Sequence, residues 1–224
     1  MDQLVITKDK LIFSFTLTYV LLITTGTVTF IEAIGTNIPF IRHLFNIETL
    51  ISIIAGFFYT KFIDKINKSY ENGKQIDWQE IIITRYLDWS ITTPLMLMVL
   101  MIVLCEHSQR TPHFMTYVLV VILNYIMLYV GYQGEFVQNN TKHLIISFIA
   151  FFLLFYIIYL SCFGKSSVFN NFIFFFYVIV WAIYGIVYKA DIKTKNTVYN
   201  YLDLTSKCFV GIGLWLYFAK LFKL

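Results

Sequence analysis

The chain has 224 residues; 58% are hydrophobic, 13% are charged and the net charge is +4. An ordinary soluble domain is nearer half apolar and a quarter charged. Charges this sparse cannot wet a soluble globule of this length, which excludes a typical soluble enzyme, a disordered chain and a basic nucleic-acid face. Phe (23) and Tyr (16) are abundant while Pro (3) and Gly (10) are few, which favours long unbroken helices. Cys105, Cys162 and Cys208 all lie in apolar runs and read as small buried hydrophobes rather than a disulfide framework. No metal-ligand set is read.

A helix needs about 20 mostly apolar residues to cross a bilayer. Seven stretches qualify, roughly Leu11–Ile34, Ile47–Ile66, Ile81–Cys105, Phe114–Tyr132, Leu144–Phe163, Phe169–Lys189 and Val198–Phe222. None shows the alternation of a barrel strand. The expectation is an all-α membrane protein, a seven-transmembrane-helix bundle forming one domain over residues 1–224. The first stretch lacks a small-residue cleavage site and reads as a retained helix.

Ionisable and polar groups inside these segments are costly and mark function by default. The first segment sets Ser14, Thr18, Thr25, Thr29 and Glu32 on one face; hydroxyls there also bond their own helix carbonyls, so this stripe has a plain structural reading as well. The second carries Glu48 and Ser52 one turn apart, with Tyr59 further along. The third carries Arg85, Asp88 and Thr92, and an internal Pro94 whose freed carbonyl Ser90, Thr92 and Thr93 can bond. The sixth has Trp181, Tyr184 and Tyr188 in a stripe that by itself reads as packing. The seventh has Asn200, Asp203 and Lys207 in a row. A buried neutral lysine is a good nucleophile toward an aldehyde. The protonated Schiff base so formed is a buried cation and needs carboxylates close by.

Seven spans put the termini on opposite sides. One side carries Arg42, Arg110, Lys165, Lys220 and Lys223; the other carries Lys8, Lys10, Lys61, Lys65, Lys68, Lys74, Lys189, Lys193 and Lys195. The positive-inside rule alone puts the N-terminus in the cytoplasm. The triplets Asn67-Lys68-Ser69 and Asn139-Asn140-Thr141 lie on the Lys-rich side and argue that it is outside.

The third segment reads Arg85-Tyr86-Leu87-Asp88-Trp89-Ser90-Ile91-Thr92-Thr93-Pro94-Leu95, and the seventh contains Leu202-Asp203-Leu204-Thr205-Ser206-Lys207. These closely resemble the third and seventh helices of the microbial (type 1) rhodopsins, the bacteriorhodopsin-like superfamily. The resemblance extends to Trp181, Tyr184 and Tyr188, with Gly185 where a proline is usual; to Asn124, Met127 and Gly131; to Tyr59; and to Tyr156 and Tyr159, with Ser147 in place of a pocket Trp. It implies all-trans retinal on Lys207 as a protonated Schiff base, with Asp88 as main counterion and proton acceptor and Asp203 as second counterion. Arg85 organises the outer mouth, Trp89 and Trp181 sandwich the polyene, Tyr59 bonds Asp203, and Thr93 with Asn124 bridges the third and fourth helices. It also implies a membrane protein that is not an enzyme, has a lipid bilayer and small cations or protons as partners, can form a homo-oligomer, and has an extracellular N-terminus.

Departures from the pattern sort the functional choices. Val99 stands where outward proton pumps carry the reprotonating acid, and Lys195 lies in a short sixth–seventh connection where their release carboxylates fall. The stripes on the first, second and seventh segments can line a hydrated path, with Glu48 and Glu32 near its inner end, and rings of acids and hydroxyls favour cations. The leading expectation is therefore a light-gated cation channel. The alternative is a light-driven outward proton pump with slow reprotonation through Glu48 or water, and a third reading is a photosensor acting through a partner. The compact chain, the short connection and Val99 resemble rhodopsins encoded by large algal viruses.

Overall fold

The computed structural model describes residues 8–111, 113–164 and 167–219. Lys165, Lys220, Lys223 and the last expected residues of the seventh segment, 220–222, lie outside the described residues, as does residue range 1–7. Six helices run α1 (Lys8–Gly35), α2 (Pro39–Glu71), α3 (Trp78–His107), α4 (Phe114–Gly134), α5 (Thr141–Cys162) and α6 (Val168–Val187). The seventh rod is composite: α7 (Ile192–Asp203), a π-helical turn (Leu204–Phe209) and α8 (Val210–Phe218). The protein is thus all-helical among the described residues, and six helices are long and apolar enough to span a membrane. The seventh rod is interrupted by its π-turn, and its first half is polar, with Asn196, Asn200 and Asp203.

Local chemistry sets the helix ends. Pro39 opens α2, where its missing N–H costs nothing. The turn after α2 reverses through Gly73 at φ 61°, a left-handed conformation natural to glycine. Asp77, Ser167 and Asp191 cap α3, α6 and α7 with side-chain oxygens. Pro94 leaves the Ser90 carbonyl without its helical partner. The structure corrects the expectation here: Ser90, Thr92 and Thr93 donate to Leu87, Asp88 and Trp89, and the Tyr125 hydroxyl from α4 donates to Ser90 O at 3.1 Å.

The bundle keeps its charges inside, within an apolar core, and is greasy outside. Phe57, Met115, Phe152, Phe172, Ile179 and Ile186 are exposed, whereas Arg85, Asp88, Asn200, Asp203 and Lys207 are buried. An outer surface this apolar is matched to lipid. The protein is an integral membrane protein. The end holding the starts of α1, α3, α5 and α7 is called the near end below, and the opposite one the far end.

Candidate functional site

Lys207 sits in the π-helical turn, a local widening that frequently occurs at functional sites. Its Nζ donates to Asp88 Oδ2 at 2.9 Å and lies 3.6 Å from Asp203 Oδ1. Asp88 Oδ1 also accepts from Thr92 at 3.3 Å, so the i, i+4 spacing on α3 is used locally. Asp203 accepts from Tyr59 (2.8 Å), Tyr184 (2.8 Å), Trp89 Nε1 (3.2 Å) and Arg85 (3.3 Å). Arg85 is in turn held by Asn200 Oδ1 at 2.8 Å and Asn196 Oδ1 at 3.3 Å. Its guanidinium lies 4.9 Å from the Phe62 ring centre. Two carboxylates, one ammonium and one guanidinium are thus buried with formal charges that cancel. Such a cluster is tolerable only because each charge is paired and hydrogen-bonded.

Beside Lys207 lies a cavity of about 110 Å³, lined by Trp89, Thr93, Met96, Met127, Gly131, Ser147, Phe148, Phe151, Trp181, Tyr184, Gly185, Tyr188, Asp203 and Ser206, among others. Most of its wall is apolar or aromatic, and its charged residues are Asp203 and Lys207. A Cβ on Gly185 would sit 2.5 Å from Phe148 Cζ, so the ring occupies the space a larger residue would take. Ser147 donates to Met127 O at 3.1 Å. Tyr188 closes one side by donating to Gly131 O at 2.7 Å. An elongated apolar aldehyde that condenses with an amine fits this chemistry: a greasy slot, one lysine, and acids at the lysine only.

The predicted residues fall into three groups. Lys207, Trp89, Thr93, Met127, Gly131, Trp181, Tyr184, Tyr188 and Asp203 line the cavity. Asp88, Arg85, Thr92, Tyr59 and Asn124 stand behind that wall; Asn124 reaches it through Thr93, donating to its Oγ1 at 2.9 Å. Glu48 is separate. It is buried on α2 with no hydrogen bond among the described residues, and its Oε2 lies 3.0 Å from where a Cβ on Gly211 would be. Gly211 is one turn beyond Lys207 toward the far end, so glycine there admits the carboxyl. Tyr156 and Tyr159 do not join the site: both are exposed on α5. Sequence reasoning missed Tyr86, Phe148, Phe151 and Tyr199 as wall residues; aromatic residues are so common in this chain that no spacing separates them from packing.

The stripes on α1, α2 and α7 do face one another. Asn200 Nδ2 donates to Ser14 Oγ, Thr18 bonds Asn200 O, and the Thr29 and Thr49 hydroxyls meet at 2.9 Å. Most of these hydroxyls also satisfy carbonyls of their own helix. Trp215 Nε1 donates to Glu32 at 3.1 Å. At the near end, Lys65 pairs with Glu80, Lys68 with Asp64, and Lys195 with Glu135, so the excess of lysines there is partly neutralised locally.

The family described as "Bacteriorhodopsin-like protein" matches residues 9–221. Among solved structures, the viral rhodopsin OLPVRII is 39% identical with a TM-score of 0.87, over 95% of this chain and 99% of that one. The proton-pumping rhodopsin AR2 from the marine alga Acetabularia acetabulum is 17% identical with a TM-score of 0.77, over 98% and 99%. A blue light-absorbing proteorhodopsin from Med12 is 22% identical with a TM-score of 0.73, over 94% and 96%. These last two likenesses concern the fold alone. No curated protein matches the chain.

Proposed function

The chain belongs to the bacteriorhodopsin-like family of microbial rhodopsins, and from that premise we propose that it is a light-driven outward proton transporter with retinal on Lys207. One observation carries this reading: the Lys207 amine has a paired acid, Asp88, within 2.9 Å on one side, and a second buried acid, Glu48, packs against Gly211, the residue one helical turn beyond Lys207 on the other. Retinal linked to Lys207 would supply the light-triggered change in the position and acidity of that nitrogen's proton.

The protein's residues account for the rest. Asp88 is placed to accept the proton that leaves the Lys207 nitrogen. Asp203 is held by four donors, which fixes its orientation, and Asp88 Oδ2 lies nearer the Lys207 nitrogen, 2.9 Å against 3.6 Å, so the proton goes to Asp88. Arg85 balances the second carboxylate while Asp88 is charged and is freed to shift when Asp88 is neutralised. A carboxyl buried without a donor carries its proton at rest, because an isolated buried charge is costly; Glu48 is therefore the internal acid that reprotonates the Lys207 nitrogen from the far end. Val99 on α3 is buried and cannot do so. The near end is taken as extracellular, with the Asn67 and Asn139 triplets on that side and the lysine excess reduced by its ion pairs.

A light-gated cation channel is the second reading, favoured by the facing polar stripes of α1, α2 and α7. It ranks lower because most of those hydroxyls, Ser14, Thr18, Thr29 and Thr49 among them, are committed to helix carbonyls or to one another. Voltage clamp under light tests the choice. A photocurrent that stays outward at all accessible voltages supports transport; reversal near a cation equilibrium potential means a channel.

A further inference from the structure

On the near side the carboxyl of the α6–α7 connection, Asp191, is committed to capping α7 by accepting from Lys193 N and Thr194 N, and Lys195 stands in the first turn of α7. The structure brings another from elsewhere. Glu135, just past α4, forms an ion pair with Lys195 at the head of α7, and the two side chains are only 4% and 8% exposed. An ion pair this secluded adds little to stability, because desolvation offsets attraction, so its position invites a functional account.

Three further observations make this a cluster. Lys195 lies 5.5 Å from the ring centre of Tyr188, which closes the cavity. Next to Glu135, a Cβ on Gly134 would collide with the Tyr188 hydroxyl and with His143 Cβ, so α4, α5 and α6 converge here. The buried His143 Nδ1 has no hydrogen-bond partner. Toward the interior, Lys195 adjoins Asn196, which holds Arg85. Burial pushes the Glu135 carboxyl above the ordinary carboxylate range, against the pull of Lys195 and of Arg85. Tyr86, Tyr188 and Tyr199 also face it electrostatically, and Lys189 at the same edge is held by Thr141.

We propose that Glu135, paired with Lys195 where α4, α5 and α6 converge, is the proton-release residue on the near side. This rests on the proton-transport reading above. A proton displaced past Arg85 and Asn196 is taken up by the Glu135 carboxylate, giving the neutral acid. Lys195 is then a buried ammonium without its partner, which drives the proton on to solvent and restores the ion pair.

The test uses the retinal-reconstituted full chain with a pH-sensitive dye in the medium, comparing the time at which protons appear after a flash with the protonation of Asp88. In the unmodified protein release should follow Asp88 protonation closely. In Glu135→Gln it should lag by about 10²-fold, the scale of losing one positioned proton carrier, with Asp88 protonation unchanged. The double variant Glu135→Gln/Lys195→Met, which leaves no unpaired buried charge, should show the same lag. Release timing unchanged in the double variant, or in the single one, overturns this assignment alone. Absence of any light-driven proton release in the unmodified protein overturns it together with the transport reading.

Discussion

Asp203 and Glu48 are both buried acids near Lys207, and they are treated in opposite ways. Asp203 accepts hydrogen bonds from Tyr59, Tyr184, Trp89 and Arg85, while Glu48 has none among the described residues and rests against Gly211. The near half of the seventh rod is built to hold fixed charge. The region around Glu48 is built to avoid charge. A proton carrier belongs to the second kind of environment and a structural counterion to the first, and Asp88, with only Lys207 and Thr92 as side-chain partners, lies between them.

Three substitutions sharpen that contrast. Asp88→Asn removes the acceptor and should abolish net transport, while moving the visible band to longer wavelength because the buried cation loses its nearest anion; an unmoved spectrum would exclude Asp88 as counterion. Asp203→Asn leaves Arg85 buried without its carboxylate and should cost about 3–5 kcal/mol, read as the loss of colour on heating. Glu48→Gln breaks no bond, so thermal stability should change little, yet recovery of the photocycle should slow by about 10²-fold; unchanged recovery would leave Glu48 without the part assigned to it.

The smallest effect concerns Asp191, outside the bundle. Its hydrogen bonds to Thr194 hold its carboxyl below the usual carboxylate range. A depressed carboxyl contributes stability at neutral pH that disappears as pH falls through its folded value. Asp191→Ala should cost about 1 kcal/mol at pH 7 and less in acid, measured by thermal denaturation at both pH values.

Much of this was legible in the sequence. Six of the seven spans followed from apolar length, and Asp88, Asp203, Lys207 and Arg85 stood out because charges inside a membrane segment demand partners. The π-turn at Leu204–Phe209 left no mark, since its residues are ordinary helix formers and only the placement of Lys207 gives it purpose. Tyr125 was missed as the partner of the carbonyl freed by Pro94, because that bond crosses from α4 to α3. Glu135 was missed for the same reason: it lies outside any span, 60 positions before Lys195, and nothing local ties the two together.

The most direct measurement is the absorbance of the purified protein mixed with all-trans retinal, beside Lys207→Ala. The unmodified chain should acquire a visible band and the variant none. A band of equal strength in Lys207→Ala, or no band in either, would contradict the assignment of the buried amine as the chromophore's point of attachment.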